Sequence, residues 1–143
     1  IKYVLNTILI DSGPLIALFD RDDFYHNQII DFIKNKKYKF ISTIAVLTEV
    51  THMLDFNINV QLSFLQWVMN EGLIIQEIKQ ENISRIIELT KKYSDRPMDF
   101  ADATLVIAAE MTGIKKIISI DSDFDIYKLP GKELIQNVFR EFR

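Results

Sequence analysis

The chain has no cysteine, and its 143 residues include only two histidines, three prolines and four glycines. Without cysteine there is no disulfide framework and no thiolate metal site, which fits a reducing compartment. No Cys/His spacing of the zinc-binding kind is present. With so little Gly and Pro there is no low-complexity tract, no internal repeat and no Gly-rich phosphate loop. Long hydrophobic runs are missing too: the apolar stretch from Val4 to Ile10 is broken by Asn6 and Thr7 and is too short to cross a bilayer. No signal-peptide layout opens the sequence. These absences lead to the expectation of a cytoplasmic protein with no membrane partner.

What is there is globular. Hydrophobic residues make up 48% and charged residues 26%, and the length suits a single domain over 1–143 with a sizeable core. The net charge of −3 argues against nucleic acid as a partner, but global charge is a poor witness if several acids bind metal. Basic runs occur at Lys34-Asn35-Lys36-Lys37-Tyr38-Lys39, Lys91-Lys92 and Lys115-Lys116. Each taken singly reads as a solvated helix end or turn.

The most informative stretch runs from Arg96 to Met111. After Pro97 it reads as a helix, with Asp99 as N-cap and Gly113 as C-terminal stop. Apart from Asp102, Thr104 and Glu110 it is apolar on nearly every side, and such helices are normally buried. Asp99 and Asp102 share one face, so the helix directs two acids inward, where a carboxylate is costly unless paired or bound to a cation. The rest of the chain supplies further acids. Asp11 follows Ile8-Leu9-Ile10, Asp121 follows Ile117-Ile118-Ser119-Ile120, and Glu49 sits within Ile44–Val50. None of those segments contains Lys or Arg. The pattern points to a metal cage and not to salt bridges.

In chain order, strands are expected over 3–10, 39–42, 73–78 and 116–120. Helices are expected over 15–19, 24–36, 43–55, 60–70, 82–93 and the central stretch. Phe24, Ile29, Ile30, Phe32 and Ile33 form the expected buried stripe of the second helix, with Asp22 or Asp23 as its cap. Ile83, Ile86, Ile87 and Leu89 are expected to face inward on the fifth. The tail, with Leu134, Ile135, Val138 and Phe139, reads as an edge strand in preference to a short helix. Alternation of strands and helices means an α/β fold with a mostly parallel sheet. Ligands of such sheets bind beyond the carboxyl ends of the strands, where the topology gathers Asp11, Glu49, Asp99, Asp102 and Asp121.

Taken singly, most of these residues have a plainer explanation. Asp11 is equally a turn residue, Ser12 a capping hydroxyl, Glu49 a surface helix residue, and Asp99 an N-cap. Asp102 has no exposed face to retreat to. Asp121, Asp123 and Asp125 alternate like a Ca²⁺ loop, but that loop needs Gly sixth and Glu twelfth, and those places hold Ile126 and Lys132. His26 reads as first-turn packing, His52 as a partly buried structural residue, and the ten phenylalanines as core and not as a base-stacking platform. Jointly the acids are more specific. Carboxylate oxygens without soft ligands suit Mg²⁺ or Mn²⁺, ions used where water attacks a phosphodiester.

The sequence resembles PIN domains, and among them the VapC-type ribonuclease toxins of toxin–antitoxin pairs. The resemblance rests on Ile10-Asp11-Ser12-Gly13-Pro14-Leu15-Ile16-Ala17-Leu18, Thr48-Glu49-Val50, Met98-Asp99-Phe100-Ala101-Asp102-Ala103 and Ser119-Ile120-Asp121-Ser122-Asp123-Phe124. It implies a three-layer α/β/α domain with a parallel sheet of about five strands. The family's acidic quartet falls on Asp11, Glu49, Asp102 and Asp121, its accessory acids on Asp99 and Asp123, and its small hydroxyl residues on Ser12 and Ser119. Ser119 stands where Thr is more usual and keeps the hydroxyl. The implied activity is Mg²⁺- or Mn²⁺-dependent endonucleolytic cleavage of RNA, with a metal-activated water. Lys34, Lys36 and Lys39, or Lys91 and Lys92, would steer the strand. Implied partners are a second copy of the chain and a cognate antitoxin whose peptide plugs the active-site groove. A homodimer also fits the helices from Asn27 to Asn70, which carry more large apolar residues than one buried stripe needs, including Phe56, Leu62, Phe64, Leu65, Trp67 and Met69. Two rivals differ in class. A non-catalytic PIN-like RNA- or protein-binding domain has no need to concentrate like charges. A phosphoryl-receiver domain needs Lys at a strand end, and no expected strand ends in Lys.

Overall fold

The computed structural model describes residues 6–96 and 98–142. Residues 3–5 of the expected first strand, and Pro97, lie outside the described residues. The strands are β1 (Thr7–Ile10), β2 (Lys39–Ser42), β3 (Leu73–Ile75), β4 (Lys116–Ile118) and β5 (Gln136–Asn137). They form one sheet in the order β3-β2-β1-β4-β5, and every pair in it is parallel. β1 is central and fully buried, with Ile8 opposite Phe40 on one side and Leu9 opposite Ile117 on the other. Its unbroken Thr-Ile-Leu-Ile run suits a strand covered on both faces.

The helices are α1 (Ser12–Phe19), α2 (His26–Lys34), α3 (Ile44–Met53), α4 (Ile58–Met69), α5 (Ile83–Lys92), α6 (Phe100–Thr112) and α7 (Val138–Phe142). They cover both faces of the sheet, completing the expected α/β/α layers. From β1 the chain builds outward through β2 and β3, then returns to place β4 on the other side of β1. Strand order therefore reverses between β1 and β4, and the crevice beyond their carboxyl ends is the usual ligand position in such a sheet.

α6 behaves as its composition demands. Every residue from Ala101 to Ala109 is buried, Asp99 caps its start, and Gly113 closes it in the left-handed conformation at φ 77°. That conformation costs glycine nothing.

Elsewhere the expectations need correcting. α2 starts at His26, because Asp23 turns the chain by accepting from the Tyr25 amide at 2.8 Å and does not cap the helix. Phe24 is thereby 83% exposed, and Ile30 is exposed too, leaving Ile29 and Phe32 as the fully buried part of the stripe. On α5, Ile86 and Leu89 are buried but Ile83 and Ile87 are exposed. β3 ends at Ile75, not at residue 78. The tail contains both proposed elements: a two-residue strand, then a short helix that carries Val138 and Phe139. After α4 the left-handed residue is Glu71, at φ 68°. Gly72 is needed for space, since a β-carbon there would fall 2.2 Å from Trp67 Cε2.

Candidate active site

Asp11 stands at the end of β1 and caps α1. Its amide donates to the Ile118 carbonyl at 3.1 Å, its Oδ1 accepts from the Ser12 amide at 2.8 Å, and its Oδ2 lies 3.2 Å from Ser119 Oγ. The residue is only 5% exposed. Burial foremost, then Asp121 and Glu49, raise its pKa to about 7, against the opposing hydrogen bonds from Ser12 and Ser119. Asp102 lies in the first turn of α6, 7% exposed. Its pKa is pushed up to about 8 by burial first, then by Asp11, Asp99 and Asp123. The Tyr127 hydroxyl, which donates to Asp102 Oδ2 at 2.9 Å, pulls the other way.

Glu49 is half-buried on α3. It too is raised, by burial first and then by Asp99 and Asp121, while a hydrogen bond from Ser12 opposes. Asp121 and Asp123 sit on an exposed turn after β4. Asp123 is raised by partial desolvation, Asp121 and Asp99. Asp99 is exposed and its carboxylate accepts from the Asp102 amide at 2.7 Å, so only Asp102 of that pair is directed into the interior. No basic side chain is among the causes for Asp11, Glu49, Asp102 or Asp123. These acids stand near enough to raise one another's pKa, and no cation offsets them among those causes.

Hydroxyl and amide contacts brace the elements that carry these acids. Ser119 is fully buried, and its hydroxyl lies between Asp11 Oδ2 and the Asp121 carbonyl, 3.4 Å from the latter. The Asn137 side chain clamps the Ser119 backbone, accepting from its amide at 3.2 Å and donating to its carbonyl at 3.0 Å. Ser42 Oγ donates to the Ile10 carbonyl at 2.8 Å, tying the end of β2 to that of β1. Thr43 and Thr104 hydroxyls meet at 2.7 Å, joining the start of α3 to α6. Thr43 thus marks the α3 start without capping it. Tyr127, Asn137 and the Thr43–Thr104 pair escaped the sequence reading. Each carries a polar group that is buried and paired, which no local spacing announces.

A cleft of about 760 Å³ adjoins the acids, with Glu49 and Asp99 in its wall beside Ile44, Ile75, Ile83 and Phe100. The two lysine groups part company. Lys39 opens β2, so with Lys34 and Lys36 just before it, it lies at the amino edge of the sheet, away from the acids. Lys34 is paired with Asp31 at 3.2 Å. Lys91 and Lys92 end α5 beside Tyr93, whose ring packs on that of Tyr127 at 5.0 Å. They stand near the acidic edge. His26 Nδ1 lies 2.6 Å from the Ala17 carbonyl, as packing would have it, whereas His52 is exposed and not partly buried.

The donors are hard oxygens, and buried carboxylates that raise one another's pKa are groups a divalent cation would relieve. In donor chemistry the residues fit Mg²⁺ or Mn²⁺. In spacing, no three carboxylate or imidazole groups among the described residues stand close enough to enclose an ion, so an ion bound here would require side-chain movement.

The PIN domain family model matches residues 8–129, a span holding all six acids and Tyr127. Among solved structures, VapC20 of Mycobacterium tuberculosis, described as a sarcin-ricin loop cleaving toxin, matches with a TM-score of 0.75. The two are 18% identical, over 82% of this chain and 92% of that one, which is a likeness of fold. No curated protein matches the chain.

Proposed function

The chain belongs to the PIN domain family, and from that premise we propose that it is a divalent-metal-dependent endoribonuclease, the toxin of a toxin–antitoxin pair. The observation that carries this is the meeting of buried Asp11 and Asp102 with Glu49 and Asp121 at the strand-order reversal, each of the first three held above its ordinary pKa with no cation among the causes. In this reading Asp11, Asp102 and Asp121 hold the metal, and Glu49 serves as a further ligand or positions the attacking water. Ser12 and Ser119 orient Glu49 and Asp11 respectively, and Asp99 and Asp123 add negative charge at the rim. When bound, Mg²⁺ or Mn²⁺ supplies the positive charge that lets an anionic phosphodiester enter an acidic site, and it acidifies water.

The reaction is hydrolysis. Water's oxygen bonds to phosphorus, the P–O3′ bond breaks, and the leaving 3′-oxygen takes up a proton. The RNA 2′-hydroxyl takes no part. Products therefore carry 5′-phosphate and 3′-hydroxyl ends. Further parts of the proposal are a cytoplasmic location, a homodimer built on the α3–α4 face, and an antitoxin peptide in the groove. No helix among the described residues is long and apolar enough to cross a membrane.

The non-catalytic rival draws on one observation, the lack of a ready three-ligand cage among the described residues. End-group analysis of RNA cut by purified protein separates the two. Cleavage that requires Mg²⁺ or Mn²⁺, stops with EDTA and fails in Asp11→Asn and Asp102→Asn supports the nuclease. Cyclic-phosphate ends, or cutting that survives in both variants, would remove it.

A further inference from the structure

We infer that the cleft beside the acids is a subsite for one unpaired nucleobase of the RNA strand, next to the scissile phosphate, with Phe100 as its stacking platform. This rests on the ribonuclease reading above. Phe100 directly follows the cap Asp99 and precedes Asp102 by two positions on α6, so its ring is tied to the acidic site by the start of one helix. Phe100 is 55% exposed. With Phe24 and Phe56 it breaks the expectation that the phenylalanines are all core, and it alone of these three lines the cleft.

The cleft volume, about 760 Å³, lies within the roughly 300–1,000 Å³ typical of small-ligand sites. Its walls match a flat, neutral, hydrogen-bonding guest. Ile44, Ile75 and Ile83 offer apolar faces, while Gln80 and Glu77 place an amide and a carboxylate at its edge. Bases present both donors and acceptors there, and a neutral base, unlike a phosphate, is not repelled by acids. Lys79, in the same wall and exposed, holds no ion pair among the described residues. It is placed to meet the phosphate that accompanies the base. Glu49 and Asp99 belong to both the cleft and the acidic cluster, so a strand whose phosphate lies at the acids brings a neighbouring base to Phe100. Single-stranded RNA is commonly read by splaying a base onto an aromatic ring.

The test uses Mn²⁺-loaded full-length protein and short single-stranded RNAs in which 2-aminopurine replaces one base at successive positions. Stacking quenches this base. Expected are quenching at one position next to the cut, its loss in Phe100→Ala with cleavage falling about tenfold or more, and retention of both in Phe100→Trp. Lys79→Gln should weaken binding without shifting the quenched position. Because Phe100 is largely exposed, thermal melting of each variant serves as the folding check. If wild type cleaves and Phe100→Ala cleaves equally well with the same base preference, the subsite is wrong while the ribonuclease stands. If wild type does not cleave, the ribonuclease fails, and lack of quenching at every position removes the subsite as well. If Phe100→Ala changes only the binding of a basic amphipathic peptide, the cleft is a protein-docking groove and the nucleobase proposal falls.

Discussion

Tyr127 donates its hydroxyl to Asp102 Oδ2 at 2.9 Å, a contact between a turn near the carboxyl end of the chain and the first turn of α6. Its ring packs edge-on against both Tyr93 and Phe124, at 5.0 and 5.1 Å between centroids. Burial first, and then the Asp102 charge, raise the phenol's pKa, so it stays a donor across the working pH range. This fixes one oxygen of Asp102 and leaves the other for a ligand.

Tyr127→Phe keeps the ring and deletes the donor. Asp102 then loses the hydrogen bond that favours its charged form, and its pKa moves further up. The variant should melt within a few degrees of wild type, yet bind Mn²⁺ roughly 10- to 100-fold more weakly, as losing a partner behind a metal ligand usually does. Mn²⁺ titration followed by thermal shift measures this. Unchanged Mn²⁺ affinity at neutral pH would show the hydroxyl to be mere packing.

Stability of the metal-free protein should fall as pH rises. Asp11 at about 7 and Asp102 at about 8 both stand above the ordinary aspartate value of 3.8. Below about pH 4 both are protonated, folded or unfolded, and cost nothing. Between there and about pH 8 the unfolded chain releases their protons first, so their contribution is progressively lost. Urea unfolding in EDTA should give lower stability at about pH 8.5 than at about pH 5.5, and Mn²⁺ should restore more at the higher pH. Equal stability in EDTA at both would contradict the buried, cation-free arrangement.

Asp102→Asn isolates one of those charges. The amide oxygen still accepts from Tyr127, while repulsion from Asp11 and Asp99 disappears. In EDTA the variant should be as stable as wild type at low pH and equally or more stable at about pH 8.5, while RNA cleavage is abolished. An Asp102→Asn protein that unfolds without metal would make Asp102 a structural residue and not a metal ligand.

Asp11 and Asp102 were legible because a carboxylate among buried aliphatics is an anomaly visible in one dimension, and parallel topology alone places such residues on one edge. Ser119 came only through family resemblance, and its hydrogen bond to Asp11 spans most of the chain. Tyr127 and Asn137 were illegible for a related reason. Their partners lie 25 and 18 residues away, and they sit in turns and a two-residue strand without periodicity. Helix faces failed where neighbours decide them. Ile83 and Phe100 read as core by composition, but the fold leaves them lining an open cleft. Lys39 looked like a partner for the strand until the direction of β2 set it at the wrong edge.

The α3–α4 face should carry the homodimer. Met53, Phe56, Ile58, Leu62, Leu65 and Met69 are all exposed there, Met69 by 73%, while Phe64 and the half-buried Trp67 turn inward against Phe19. Contiguous exposed apolar surface of this kind marks an interface. Light scattering should give twice the monomer mass at tens of micromolar, and Leu62→Asp with Leu65→Asp should halve it without lowering helix content. A monomeric wild type at that concentration would refute the dimer.

RNA steering should come from Lys91 and Lys92 and not from Lys34 and Lys36. The first pair follows the last turn of α5 into Tyr93, whose hydroxyl accepts from the Lys128 amide at 2.8 Å in the same segment that supplies Tyr127. The second pair lies before β2, across the length of the sheet from the acids, with Lys34 spent on Asp31 and Lys36 Nζ 6.0 Å from the Phe32 ring centre. Lys91→Glu with Lys92→Glu should lower kcat/KM several-fold at low salt, and the deficit should shrink as salt rises, because each lost phosphate contact flattens the salt dependence. Lys34→Glu with Lys36→Glu should leave both the rate and its salt slope near wild type. The reverse ranking in kinetics at two salt concentrations would mean that the strand leaves the acids toward the start of β2, where a second cleft of about 550 Å³ lies beside Tyr38, Lys39 and Trp67.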